Sequence, residues 1–309
     1  MNKHAKIYVA GHTGLVGSAI VRALHRKGYD NLVLKTHESL DLLNQAAVLA
    51  FFSDERPEYV IDAAALVGGI KANAECPADF FFHNMEMENN LIWASHIHGV
   101  KKFLFLGSAC MYPKNCVQPM QVKDLLSGPF ESTNEGYALA KMGGLRLCEY
   151  LARQYGECYI SIIPANTYGI GDSFDLETSH VIPALIKKYL VAQRKKDSEV
   201  ILWGTGTPLR EFIYVDDLAD GCVFLLENYT GIEPVNLGIS SEISILELSR
   251  LISRLVGFDG NIVCDHSRPD GMMRRIMDSS FIFSLGWRPK VSIEDGLRRT
   301  IEWYLGNLA

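Results

Sequence analysis

Apolar and polar positions follow one rhythm in the first half of the chain and a looser one in the second. Residues 6–10, KIYVA, form a short apolar run that predicts a strand, and a glycine-rich turn, GHTGLVG, follows it. In SAIVRALHRKG the apolar positions fall at helical spacing and stop at Gly28. The pair then repeats. NLVLKT (31–36) predicts a strand and QAAVLAFFSDE a helix, and EYVIDAAA (58–65) predicts a strand before the helical NNLIWASHIHG. KKFLFLGS (101–108) reads as a fourth strand, EGYALAK opens a helix that runs towards RQYG, and CYISIIPAN (158–166) reads as a fifth strand. Apolar strands alternating with helices predict an α/β fold with a doubly wound parallel sheet of the Rossmann type, covered on both faces.

Beyond Pro164 the alternation loosens. SHVIPALIKKYLVAQ predicts a helix, EVILWG a strand, and REFIYVDDLADGCVFLL a strand running into a helix. EPVNLG, the helical SILELSRLISRLVG and a charged, methionine-rich loop, DHSRPDGMMRRIMD, complete the pattern. No repeat or Pro/Ser-rich linker separates the halves, so a smaller C-terminal α/β lobe is expected to interleave with the first. Residues 1–163 plus about 208–237 are assigned to dinucleotide binding, and about 164–207 and 238–309 to the substrate.

Composition narrows the function. At 309 residues, with 48% hydrophobic and 21% charged side chains, the chain is that of an ordinary soluble protein. A net charge of −6 argues against generic binding to nucleic acid or to an anionic membrane, both of which need a basic face. Seven cysteines without a CxxC pair or a Cys/His cluster predict reduced thiols and no metal site. With no signal-like segment and no apolar span of about 20 residues, a cytoplasmic location is expected.

Gly11, Gly14 and Gly17 lie between the first strand and the first helix. Glycines there let backbone amides approach a pyrophosphate at the positive end of the helix, which predicts a dinucleotide site. An acidic residue at the end of the second strand suits the ribose 2′-hydroxyl of NAD, whereas cations suit the 2′-phosphate of NADP. Here Lys35 and His37 come first, with Glu38 and Asp41 after them, which favours NADP(H).

The fourth strand closes on Ser108, and Tyr137 opens the following helix with Lys141 one turn on. Such a Tyr–Lys pair can be surface decoration. A phenol titrates near pH 10, too high for proton transfer at neutrality, and an adjacent ammonium favours its ionised form. A strand-end serine that hydrogen-bonds the same substrate oxygen completes a centre for interconverting a carbonyl and a carbinol.

These residues resemble the extended short-chain dehydrogenase/reductase superfamily and, within it, the GDP-L-fucose synthase family of epimerase/reductases. The stretches AGHTGLVGSAI, FLGSACMYPK, STNEGYALAK, IPANTYGIGDSFD, SHVIPALIKK, WGTGTPLREFIYVDDLA and RPDG carry the resemblance. It implies that GDP-4-keto-6-deoxy-D-mannose is inverted at C3 and C5 by Cys110 and His180. Reduction at C4 by NADPH would then use Ser108, Tyr137 and Lys141. It implies cofactor contacts from Gly11, His12, Thr13, Gly14, Leu15, Val16 and Gly17, and from Lys35, His37 and Asp41. Further contacts would come from Leu106, Gly107, Lys141, Pro164, Ala165, Asn166, Thr167 and His180. Substrate contacts are implied for Lys188, Trp203, Arg210, Asp270 and Arg275, and a homodimer through a four-helix bundle. Cys110, two residues beyond Ser108, would share its crevice if the strand stays extended. Departures from the family's frequent choices fall at Thr13, Leu66, Ala109, Gly136, Lys188 and Met272–Met273. Alternatives are a 4-reductase acting on another GDP-4-keto sugar, such as a 6-deoxy-heptose or 3,6-dideoxyhexose, a 4-epimerase that retains NAD, and a non-catalytic dinucleotide sensor.

Overall fold

Every residue of the first and fourth strands is buried, as a strand covered on both faces requires. The computed structural model describes residues 1–175, 179–268 and 270–307. Strand β1 (Ile7–Ala10) leads into α1 (Leu15–Arg26), β2 (Leu32–Val33) into α2 (Gln45–Glu55), and β3 (Tyr59–Asp62) into α3 (Ile70–Glu75) and α4 (Pro77–Ile97). Next come β4 (Lys102–Leu106), α5 (Glu135–Tyr155), β5 (Tyr159–Pro164), β6 (Asn166–Tyr168), α6 (Val181–Lys195) and β7 (Glu199–Trp203). They are followed by β8 (Leu209–Arg210), β9 (Phe212–Tyr214), α7 (Val215–Asn228), β10 (Val235–Leu237) and β11 (Ile243–Ser244). The chain ends with α8 (Ile245–Val256), β12 (Asn261–Asp265), β13 (Arg274–Arg275), α9 (Ser280–Ser284) and α10 (Ile293–Gly306).

Six parallel strands form the main sheet in the order β2-β1-β3-β4-β5-β10. The chain leaves β1 for one edge and returns to β3 on the other side, so the topological switch lies between β1 and β3. Ligands of doubly wound folds bind at that crevice. After visiting the second lobe, the chain comes back with α7 and β10. Helix α7 packs beside α1, where Arg22 meets Asp216 at 2.9 Å and Lys27 meets Glu227 at 2.8 Å. The second lobe holds β8 between β11 and β13, with β7–β12 and β6–β9 as parallel pairs. Its own apolar cluster joins Ile186 and Tyr189 of α6 to Leu248 and Ile252 of α8 and Leu297 of α10.

Several elements differ from the sequence reading. β2 is only two residues long, so Lys35 and His37 lie in the loop beyond it. CYISIIPAN is split: β5 ends at Pro164, and Ala165 donates its amide to Leu237 O (3.0 Å) before β6 joins another sheet. Helix α4 begins at Pro77, just ahead of the stretch FFFHNMEMENNLIWASHIHG that reads as a helix with a wide apolar face, and α3 before it has no clear signal in the sequence. α10 comes from a mixed-charge tail whose apolar positions are few, and Ser292 caps it by accepting from the Asp295 amide. No helix among the described residues is long and apolar enough to cross a membrane.

Lys102 of β4 ties α7 to the sheet. Its buried ammonium donates to the carbonyls of Leu225 (3.1 Å), Leu226 (2.6 Å) and Tyr229, at the negative end of the helix. Lys102→Met leaves those carbonyls without their donor. The variant should lose about 1–3 kcal/mol of stability, read as a lower urea midpoint with an unchanged slope.

Candidate active site

Two glycines shape the turn after β1. Gly11 has φ +71°, and a Cβ there would lie 2.6 Å from Ala63 O. At Gly17 a Cβ would lie 2.1 Å from Gly11 O, so α1 starts against the turn only because both side chains are missing. Gly14 is the N-cap of α1 and brings no capping side chain, which leaves the first-turn amides open to a ligand. His12 Nδ1 is buried with no partner among the described residues. An uncapped helix N-terminus with an unpartnered imidazole nitrogen beside it fits the pyrophosphate of a dinucleotide. Leu15 and Val16 form the first helical residues, and Thr13 is exposed beside them. The basic residues beyond β2 already have carboxylate neighbours: Lys35 lies 3.4 Å from Glu55 and His37 3.8 Å from Asp41. A 2′-phosphate would have to compete for both.

Leu106, Gly107 and Ser108 stand at the carboxyl end of β4, with Pro164 and Ala165 at the end of the neighbouring β5. The strand does not stay extended to Cys110. It stops at Leu106, and a 3₁₀ turn covers Ala109–Met111. Cys110 nevertheless faces Ser108, because the turn folds its amide back to donate to Ser108 Oγ at 3.3 Å. Burial pushes the Cys110 thiol up from its ordinary pKa, while Ser108, Arg275 and Lys141 pull it down. Arg275 lies behind this turn and donates to Ala109 O at 2.5 Å, so the sequence-predicted substrate ligand is also the nearest guanidinium to the thiol region.

Tyr137 lies on the first turn of α5, with its ring against the edge of Phe80. Gly136 has a steric reason. A Cβ there would come within 2.5 Å of Pro77 O, so glycine lets the starts of α4 and α5 meet. Lys141 Nζ lies 6.0 Å from the Tyr137 ring centroid and 2.9 Å from Glu88 Oε1. Burial raises the Tyr137 pKa above the ordinary phenol value, Lys141 opposes the shift, and Cys110, Glu88 and Asp62 reinforce it. Burial therefore outweighs the ammonium, and the phenol keeps its proton. Glu88 and Asp62 were not predicted as site residues. Asp62 follows the apolar YVI of β3, whereas Glu88 lies in the polar stretch HNMEMENN, where nothing in the sequence sets it apart from Glu86.

A cavity of about 380 Å³ brings together His180, Asn166, Thr167, Trp203, Arg210 and Asp270. Asn166 and Thr167, predicted on the cofactor side, thus share a wall with residues predicted for the substrate. His180 is the N-cap position of α6, and burial lowers its pKa, which favours the neutral imidazole at pH 7. Arg210 and Arg275 are register partners across β8 and β13, and their proximity depresses the Arg210 pKa after burial does. Trp203 is 65% exposed with Arg268 over its ring, so it is not a core aromatic. Asp270 accepts from the Thr205 amide (2.6 Å) and hydroxyl (2.9 Å). Lys188 stands apart, with its ammonium on Ile201 O. Glu211 escaped the sequence reading too. Buried between the lobes, it accepts from Ile239 N (2.6 Å), Ser240 N (2.7 Å) and Met277 N (2.9 Å), which fixes the strands that carry both arginines.

The sequence pattern of the NAD dependent epimerase/dehydratase family matches residues 7–238. The chain belongs to that family. Its cofactor is accordingly a nicotinamide dinucleotide, for which the glycine turn supplies the cradle. The chain is 53% identical to GDP-L-fucose synthase 1 of Arabidopsis thaliana, over 99% of this chain and 95% of that one. It is 44% identical to the GDP-L-fucose synthase of Escherichia coli K12, over 98% and 97%. Among solved structures, a GDP-6-OMe-4-keto-L-xylo-heptose reductase from C. jejuni superposes with a TM-score of 0.93 at 36% identity, covering 99% of each chain. A GDP-L-fucose synthetase from Naegleria fowleri bound to NADP gives a TM-score of 0.91 at 29% identity, covering 100% of this chain and 96% of that one.

The thiol environments in this family member can be ranked directly. Cys76 is exposed and Cys110 buried with a raised pKa. Iodoacetamide at about pH 8 should label Cys76 about tenfold faster than Cys110. Arg275→Gln should slow Cys110 further, and peptide mass mapping over time reads both rates.

Proposed function

We propose that the protein is an NADPH-dependent epimerase/reductase that converts GDP-4-keto-6-deoxy-D-mannose to GDP-L-fucose. One observation carries the reading: a protonated Tyr137 beside buried Lys141 shares a centre with Cys110 and Ser108, while His180 faces an adjoining cavity rich in cationic and polar groups. The GDP-L-fucose synthases that it resembles by sequence lend the substrate.

Epimerisation next to a ketone needs an acid and a base on opposite faces of the sugar. Cys110 and His180 fill those roles at C3 and C5, each passing or receiving one carbon-bound proton. For C4 reduction, the bound nicotinamide supplies hydride. Tyr137 gives its phenolic proton to the C4 oxygen, Ser108 donates a hydrogen bond to the same oxygen, and Lys141 stabilises the phenolate left behind. Arg210 and Lys188 meet the diphosphate, which explains how an acidic protein holds an anion, with Trp203, Asp270 and Arg275 around the nucleotide and sugar. NADP(H) lies along the Gly11–Gly17 turn and the ends of β4 and β5, with Lys35 and His37 towards the 2′-phosphate. The lobe around the six-stranded sheet takes the cofactor and the smaller lobe the nucleotide sugar. The protein works in the cytoplasm.

A second reading, C4 reduction of a related GDP-4-keto heptose, is favoured by the likeness to the C. jejuni heptose reductase. Product NMR after incubation with GDP-4-keto-6-deoxy-mannose and NADPH in D2O separates the two. GDP-L-fucose with label at C3 and C5 supports the first, and reduction without label the second. Tyr137→Phe should cut NADPH oxidation by about 10²-fold or more, with cofactor binding and C3/C5 labelling retained.

The outer faces of α4 and α5 expose Phe82, Trp93, Ile97, Leu139 and Tyr150. Paired with a second copy, these two helices make a four-helix bundle and a homodimer. Sedimentation should give twice the chain mass, and Trp93→Glu should shift the protein towards monomer.

A further inference from the structure

Between the sheet and helices α4 and α5 lies a buried polar cluster in which two members, Asp62 and Glu88, have no part in the proposed chemistry. Asp62 ends β3 and Glu88 projects from α4, each 1% exposed, and Lys141 reaches between them from α5. Lys141 Nζ lies 2.9 Å from Glu88 Oε1 and 4.9 Å from the Phe105 ring centroid on β4. Asp62 Oδ1 accepts the Ala64 amide at 3.1 Å, whereas its Oδ2 is buried without a partner among the described residues. At Gly144, one turn of α5 below Lys141, a Cβ would lie 2.6 Å from both Glu88 Oε2 and Phe105 Cζ. The helix is therefore bare at the point where the carboxyl group needs room.

One ammonium faces two carboxyl groups here, all of them out of water. With both carboxyls ionised the pocket would hold a net negative charge, which burial disfavours. A single retained proton removes that charge. The other groups facing the pair add no positive charge: Tyr8 on β1, Tyr137 and Cys148 on α5, and the Ser161 hydroxyl on β5. Burial acts in the same direction, raising Asp62 to about 7 and Glu88 above the usual carboxylate range, with Lys141 opposing both.

We propose that Asp62 and Glu88 hold one proton between them beneath Lys141, and that this carboxyl pair is a positioning device for the Tyr137–Lys141 centre. Glu88 fixes the ammonium in depth and direction. The shared proton keeps the second carboxyl neutral, so the field of Lys141 reaches the phenol at full strength. When the pair loses that proton, a second negative charge offsets the ammonium and the phenol becomes a weaker acid. Asp62 binds this proton in the folded state more tightly than in the unfolded chain. Its contribution to stability is thus complete below about pH 4 and lost as pH rises through about 7.

The kinetic consequence rests on the reductase reading, but the shared proton does not. Carbon-13 NMR of the full chain, labelled at the Asp and Glu side-chain carboxyls, should show a carboxyl in its neutral form at about pH 6 that titrates near pH 7 and disappears in Asp62→Asn. Two fully ionised carboxyls at that pH would overturn the proposal. In turnover, Glu88→Gln should lower kcat for C4 reduction about tenfold, with KM and NADPH affinity within about twofold and C3/C5 deuterium exchange unchanged. Glu88→Asp should recover part of the loss, and Asp62→Asn should flatten the fall of kcat above pH 7. Unchanged kcat and pH profile in the folded Glu88→Gln variant would also overturn it. If the wild type reduces no GDP-4-keto sugar while the neutral carboxyl is present, the substrate reading fails. A tyrosine ¹³Cζ signal from Tyr137 that moves in Glu88→Gln then upholds the pair, and one that stays fixed sinks it.

Discussion

The proposed reacting centre is organised around one buried positive charge. Lys141 sits almost wholly out of water, and an ammonium there is tolerated only with a close partner, which Glu88 provides at 2.9 Å. That pair dictates how α4 and α5 approach each other: Gly144 makes room for the carboxylate, and Gly136 lets the helix starts touch at Pro77. Once α5 is fixed at that depth, Tyr137 one turn earlier is held with its ring against Phe80 and within 6.0 Å of the ammonium. The placement of the phenol is thus a by-product of solving the electrostatic problem one turn further on.

A second buried carboxylate governs the meeting of the lobes. Glu211 gathers three backbone amides from the segments after β10 and β13, and its own carbonyl accepts from Asn166 Nδ2 at 2.9 Å. Sheet, small lobe and cavity wall therefore share one anchoring residue. The interleaved chain path makes such an anchor necessary, because β9, α7 and β10 must leave the small lobe and rejoin the main sheet at a fixed angle. The arginines on β8 and β13 inherit their register from the same joint.

Much of this was readable from residue order. Strand-and-helix alternation up to Pro164 carried the sheet, and the glycine turn, Ser108, Tyr137 and Lys141 carried the centre. Spacing failed where backbone geometry changes class. The alternation argument for Cys110 assumed an extended strand, whereas a 3₁₀ turn delivers the thiol to Ser108 by another route. α4 was readable as a helix, but its phenylalanines face both the core and the solvent, so its buried face was not. Glu88, Asp62 and Glu211 were missed for a shared reason. An acidic residue looks the same in sequence whether it points outward or inward, and only packing decides which.

Asp270 gives the cavity an unusual kind of discrimination. Both its oxygens are already engaged by Thr205, and Gly204 is pressed against it so closely that no side chain would fit. Each oxygen keeps a spare lone pair, so a ligand donor that reached Asp270 would add a bond to an acceptor already fixed in direction. Such an acceptor rewards a donor that comes in along its lone pair and gives little to one that does not. The loop is thus built to hold an angle more than to supply reach.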